Sequence, residues 1–262
     1  MTDDQEGNKM PLLDHLVELR QRLLYSFVGF IVAFFVCYGV AEYIFQFLVR
    51  PLADLTEGQE NRRMIYTALH EAFFTYIKVA FFAAACISFP MFAVQIWKFV
   101  APGLYKNEQR AFLPFLIATP VLFSLGAAMV YFLVIPLAWQ FFLSFETTGD
   151  AANMAMELEP KVDQYLSLVM RLIFAFGVSF ELPVLIVLMA QVGMVSTEGL
   201  RQKRKYAIVV AFVAAAILTP PDVISQVLLA VPIILLYEIS IVCAGMIERR
   251  RARAEDMDAD PA

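Results

Sequence analysis

A single carboxylate, Glu181, lies inside the apolar run LSLVMRLIFAFGVSFELPVLIVLMAQVGM at 166–194, with Pro183 two residues beyond it. A run of this length crosses a bilayer, since ~20 apolar residues at ~1.5 Å rise cover the hydrocarbon core. Glu181 is therefore expected well inside lipid, where an ionised carboxylate costs about 3 kcal/mol even on insertion scales. Such a side chain should face other helices or a water-filled recess. Pro183 has no N–H for the helix ladder, which leaves the Ser179 carbonyl free beside the carboxylate and makes a polar notch that neighbouring helices must satisfy. Hydrolytic chemistry finds no support. The histidines are His15 and His70, no HExxH or GxSxG motif occurs, and no nucleophile is paired with a base. Cys37, Cys86 and Cys243 fall in apolar stretches without the paired spacing of a disulfide or a nearby histidine for a metal. A non-enzymatic protein without metal or cofactor is expected, and nothing points to nucleic acid.

The elements that position Glu181 follow from composition and hydropathy. Of 262 residues, 60% are hydrophobic and 24 are Phe, and the mean hydropathy is +0.68. These values lie far from those of soluble proteins and predict an all-α polytopic membrane protein, one integral membrane domain over residues 1–262. Six spans are expected, at about 24–44, 72–96, 112–142, 164–192, 207–218 and 223–246. Residues 1–9 and about 249–262 read as disordered cytoplasmic tails. Between the first tail and span one, LLDHLVELRQRL reads as an amphipathic helix on the membrane surface. Leu12, Leu16, Leu19 and Leu23 share one face and Asp14, Glu18 and Arg22 the other. Arg20 falls near the leucine face, where a lipid headgroup or a partner would have to receive it.

Residues 45–71 read as a polar loop carrying Pro51 and long enough for short structure of its own, and Lys78 in span two as a residue able to reach headgroups. Span three, with Pro114, Pro120 and Pro136, is longer than a crossing needs and must tilt, bend or protrude. Residues 146–163 form an acidic loop. Span five has only twelve apolar residues and is followed by the turn TPPD, Thr219 to Asp222. Twelve residues give ~18 Å of helix, so spans five and six form a tight hairpin in thinned lipid or against protein. The segments on the side of the termini carry fourteen Lys and Arg and those on the opposite side four. The positive-inside rule then places both termini in the cytoplasm.

Four stretches carry a resemblance: HLVELRQRL at 15–23, QIWKFVAPGLYKNE at 95–108, FGVSFELP at 176–183 and LTPPDVISQ at 218–226. In this order and with these spans between them, the chain resembles the TatC family, the core receptor of the twin-arginine protein translocase, from about Leu12 to Met246. The resemblance implies a receptor in the bacterial inner membrane that binds Arg-Arg signal peptides. With the single-span partners TatA and TatB, in a multimeric complex, it would export folded proteins using the proton-motive force. It also implies roles for residues. Glu18 and Glu108 would receive the arginine pair, which suits planar bidentate recognition of guanidinium by carboxylate. Arg20 and Phe99 belong to the same surface, and Pro51 to the first outer loop. Glu181 is the intramembrane carboxylate tied to partner docking and transport. Thr219 and Gln226 would give a TatA or TatB helix a polar contact, and Asp222 belongs to the turn between them. The loop KNEQR departs from relatives that place a His and a further Arg around its Glu. The alternative, a proton-coupled small-molecule transporter, would show two related halves with broken helices, and no such repeat is visible.

Overall fold

The computed structural model describes residues 12–56, 63–100, 113–147, 154, 156–191, 193–219 and 223–259. Among them the architecture is helical. The elements are α1 (Leu12–Gly39), α2 (Ala41–Leu55), α3 (Glu71–Val100), α4 (Leu113–Met129), a π-helical turn (Val130–Val134), α5 (Ile135–Leu143), α6 (Val162–Ser179), α7 (Leu182–Gln191), α8 (Thr197–Gln202), α9 (Arg204–Leu218) and α10 (Val223–Ala259). Five segments are long and apolar enough to cross a membrane: Leu16–Gly39, Glu71–Ile96, Phe115–Leu143, Val162–Gln191 and Ser225–Arg249. The chain is thus a multi-pass membrane protein. Helix α9, with 15 residues, is ~22 Å long.

Three sequence expectations are corrected. The amphipathic stretch at 12–23 is no separate surface helix but the opening of α1, because neither Pro nor Gly interrupts the chain before Gly29. Residues 45–55 are helical, not loop. Leu48, Pro51 and Leu52 recur at helical spacing on a buried stripe, with Ile44, Phe45, Val49 and Leu55 packed beside it. At the other end of the chain, α10 continues to Ala259 through residues expected to be disordered. Its Arg, Ala and Glu residues are strong helix formers. The expected tail at residues 1–9 lies outside the described residues.

Small residues set the closest contacts, as expected where lipid removes the hydrophobic drive between helices. Cys37 and Ala41 meet Ala80, Ala83 and Ala84 where α1 and α2 cross α3. Helices α4 and α6 are locked by two glycines. A Cβ at Gly177 would lie 2.5 Å from the Phe123 ring, and one at Gly126 would lie 2.7 Å from the Phe176 carbonyl. Phe89 of α3 stacks on the other side of Phe123 at 4.4 Å. Pro136 has no N–H for the Phe132 carbonyl, and it follows directly on the π-helical turn, in which the Ile135 N–H reaches back to the Val130 carbonyl.

At the end away from the termini, short segments knit the helices together. Ile65 donates to the Pro160 carbonyl at 3.1 Å and accepts from Val162 at 3.0 Å. Thr147 and Met156 exchange two backbone hydrogen bonds of 3.0 Å. Lys78 does not reach for headgroups but pairs with Asp163 at 2.5 Å, joining α3 to the start of α6. At the termini end, α8 is held against α10. Glu248 accepts from the Thr197 N–H at 2.8 Å, the Tyr237 hydroxyl donates to the Leu200 carbonyl at 2.8 Å, and Arg204 pairs with Glu238 at 2.7 Å.

Candidate functional site

Three groups of expected site residues occupy distinct places. The first lies at the termini end of α1 and α3. Glu18, half-buried, accepts from Arg22 one turn later, with Nε to Oε1 at 3.0 Å and a second contact from the same guanidinium. Arg22 also reaches Gln95 of α3 at 3.5 Å. Glu18 therefore sits where a guanidinium is already received, and Arg22 ties it to the second helix. Phe99 is one turn beyond Gln95 on α3, at the same end. Arg20 is exposed, as are Leu16, Leu19 and Leu23 beside it, so its guanidinium is presented to the surroundings of the bundle. Glu108 lies outside the described residues. Arg22 and Gln95 were not picked out from sequence. The i,i+4 spacing of Glu18 and Arg22 was the available signal.

The second group surrounds Glu181. The fourth span is helical to Ser179 and again from Leu182, with the break at Phe180 and Glu181. The Glu181 N–H bonds to the Val178 carbonyl at 3.0 Å, a tightened turn, and the Ser179 hydroxyl bonds back to the Ala175 carbonyl at 2.7 Å. Pro183 thus has the expected effect of interrupting the ladder. The Thr119 hydroxyl of α4 addresses the Glu181 carboxyl, yet among the described residues neither Thr119 Oγ1 nor Glu181 Oε1 has a partner in hydrogen-bonding geometry. Thr119 is 1% exposed. Both atoms are buried within membrane-spanning segments.

The third group is the hairpin of α9 and α10. Thr219 closes α9, with its hydroxyl donating to the Ala215 carbonyl at 2.9 Å, and Gln226 Nε2 donates across the hairpin to the Phe212 carbonyl at 3.2 Å. Each residue directs one donor into the hairpin itself, while each retains oxygen acceptor capacity. Asp222 lies outside the described residues, as do Pro220 and Pro221. Helix α9 buries only Ala211 and Ala215 and leaves Ile208, Val209, Val210, Val213 and Ile217 exposed. It is an apolar face open on the bundle's flank.

Pro51 belongs to none of these groups. A proline at 51 removes the N–H that would serve the Phe47 carbonyl. The Tyr131 hydroxyl takes its place, donating to that carbonyl at 2.8 Å with its ring stacked on Phe47 at 4.4 Å. Tyr165 donates to the next carbonyl, Leu48, at 3.0 Å. The proline is thereby built into contacts between α2, the π-helical turn and α6.

The described residues form a multi-pass helical membrane bundle with a guanidinium-receiving carboxylate at one end and a broken span that bears an acid. The chain belongs to the TatC family: residues 14–232 match the family model for the Sec-independent protein translocase protein TatC. It is 53% identical over 247 residues to the Sec-independent protein translocase protein TatC of Magnetococcus marinus, covering 94% of this chain and 88% of that one. With the protein of the same name from Escherichia coli K12 it shares 42% identity over 231 residues, 88% of this chain and 86% of that one. A crystal structure of the twin-arginine translocase receptor TatC is similar with a TM-score of 0.76 and 38% identity, over 89% of this chain and 99% of that one.

Proposed function

We propose that this chain is the signal-peptide receptor of a twin-arginine translocase in a bacterial inner membrane. It crosses the membrane six times with both termini in the cytoplasm, α9 being the short fifth span. The observation that carries the reading is Glu18, a half-buried carboxylate that already accepts a guanidinium, on the side favoured by the fourteen Lys and Arg residues. An incoming arginine pair would exchange with Arg22 for Glu18 and take Glu108 as its second acceptor, with Arg20 and Phe99 bordering the same surface. The exposed apolar face of α9, with Thr219 and Gln226 at its end and Asp222 in the adjoining turn, supports docking of a TatA or TatB helix in a multimeric complex. Glu181 serves transport driven by the proton-motive force. Pro51 holds the first outer segment in place.

The test is crosslinking of a twin-arginine signal peptide to the protein in membranes. Crosslinking is expected to fall when Arg-Arg is replaced by Lys-Lys in the peptide, and to fall with Glu18→Ala or Glu108→Ala. Glu181→Ala is expected to keep crosslinking while lowering export. Crosslinking indifferent to all of these changes would overturn the receptor reading, and equal loss of binding and export with Glu181→Ala would overturn the division of labour.

A further inference from the structure

The α4–α6 register has a consequence at Glu181. Phe123 lies against Gly177, and Gly126 lies against Phe176 and Phe180, at a spacing that admits no Cβ at either glycine. One turn from Phe123 toward the termini end is Thr119, and one turn onward from Gly177 is Glu181. Thr119 and Glu181 thus lie one turn from this close contact, and the Thr119 hydroxyl addresses the Glu181 carboxyl. Among the described residues, both Thr119 Oγ1 and Glu181 Oε1 are buried without a hydrogen-bond partner, a state that is costly inside a membrane span unless the two groups or a trapped water relieve it.

We propose that Thr119 is the positioning residue of Glu181, joined to it directly or through one water; this rests on the transport role of Glu181 given above. A hydroxyl is suited to the task because it both donates and accepts. It donates to a carboxylate and accepts from a carboxylic acid, so the pair stays matched when the proton on Glu181 changes. Asparagine and glutamine hold donor and acceptor on different atoms and would have to flip. The separation of the two polar atoms is closed by side-chain rotation or by a bridging water, either of which satisfies both at once.

The test uses the full chain in membranes. Infrared difference spectroscopy reads the carboxyl band of Glu181, assigned by its loss in Glu181→Gln, and export of a folded twin-arginine cargo is measured alongside. Thr119→Val, which keeps the volume and removes the hydroxyl, is expected to shift the band and slow export about three- to fifteen-fold, the factor that corresponds to one interhelical hydrogen bond. Thr119→Ala is expected to shift the band in the same way if the valine crowds the notch, and Thr119→Ser to restore band and export together. A band unmoved by both Thr119→Val and Thr119→Ala overturns the inference, whatever happens to export. Export by Glu181→Gln at the wild-type rate would instead overturn the transport role of Glu181, while the band shift would still decide the Thr119 contact.

Discussion

Replacing Tyr131 with Phe removes one hydroxyl and leaves the ring stacked on Phe47. The lost bond is the 2.8 Å contact to a carbonyl that Pro51 has deprived of its helical partner. Leaving a buried acceptor unsatisfied costs about 1–3 kcal/mol, this contact is part-buried, and interhelical hydrogen bonds in membranes are worth about 0.6 kcal/mol on average and at most about 1.7. Tyr131→Phe is thus expected to lower stability by about 1–2 kcal/mol, read by equilibrium unfolding in mixed detergent micelles. Pro51→Ala changes the outcome. It restores an N–H at position 51, which can bond to Phe47 and leave the tyrosine hydroxyl redundant, so in that background Tyr131→Phe should cost little. The double-mutant cycle should show a coupling of about 1 kcal/mol, within the range found for residues that share a hydrogen-bond partner. Equal costs in the two backgrounds would refute the idea that Tyr131 stands in for the missing N–H.

Two further substitutions test the packing. Gly126→Ala places a methyl 2.7 Å from a backbone carbonyl, and overpacking of this kind is expected to cost about 1–3 kcal/mol in the same unfolding assay. Gly39→Ala, where among the described residues the new Cβ meets no packing neighbour within 4 Å, is the matched control and should be neutral or slightly stabilising; equal effects would show that the α4–α6 contact is looser than described. Glu248→Ala removes the acceptor of the Thr197 N–H at the start of α8. Hydrogen exchange at Thr197 should quicken about tenfold, as loss of a charge-assisted bond of about 1.4 kcal/mol implies, and unchanged exchange would show that α8 does not depend on α10.

Much of this arrangement was legible in the sequence, because burial in lipid needs long apolar runs and their interruptions stand out. Glu181 and Pro183 announced the break in the fourth span, and the shortness of α9 followed from counting residues up to Thr219. What escaped was of two physical kinds. Helix α2 was missed beyond Ile44 because hydropathy ends where the stripe of Leu48, Leu52 and Leu55 continues at helical spacing among charged residues. Thr119, Gln95 and Asp163 were missed because their partners lie far along the chain. Their roles depend on the register between helices, which two glycines and a few aromatic rings decide and which no local pattern records. The glycines were visible as letters, but their contacts with Phe123 and Phe176 were not.

Pro51 also orders the assembly of the protein in time. The tyrosines that complete the carbonyls of Phe47 and Leu48 follow them by 84 and 117 residues. At a synthesis rate of about 5–20 residues per second, the first donor emerges roughly 4–17 s after its acceptor. Through that interval the nascent α2 carries a carbonyl that its own helix cannot serve, so it is held near water or a neighbouring protein until the third and fourth spans arrive. Completion of the contacts around α2 thereby becomes a late event, one that reports that the later spans are in place.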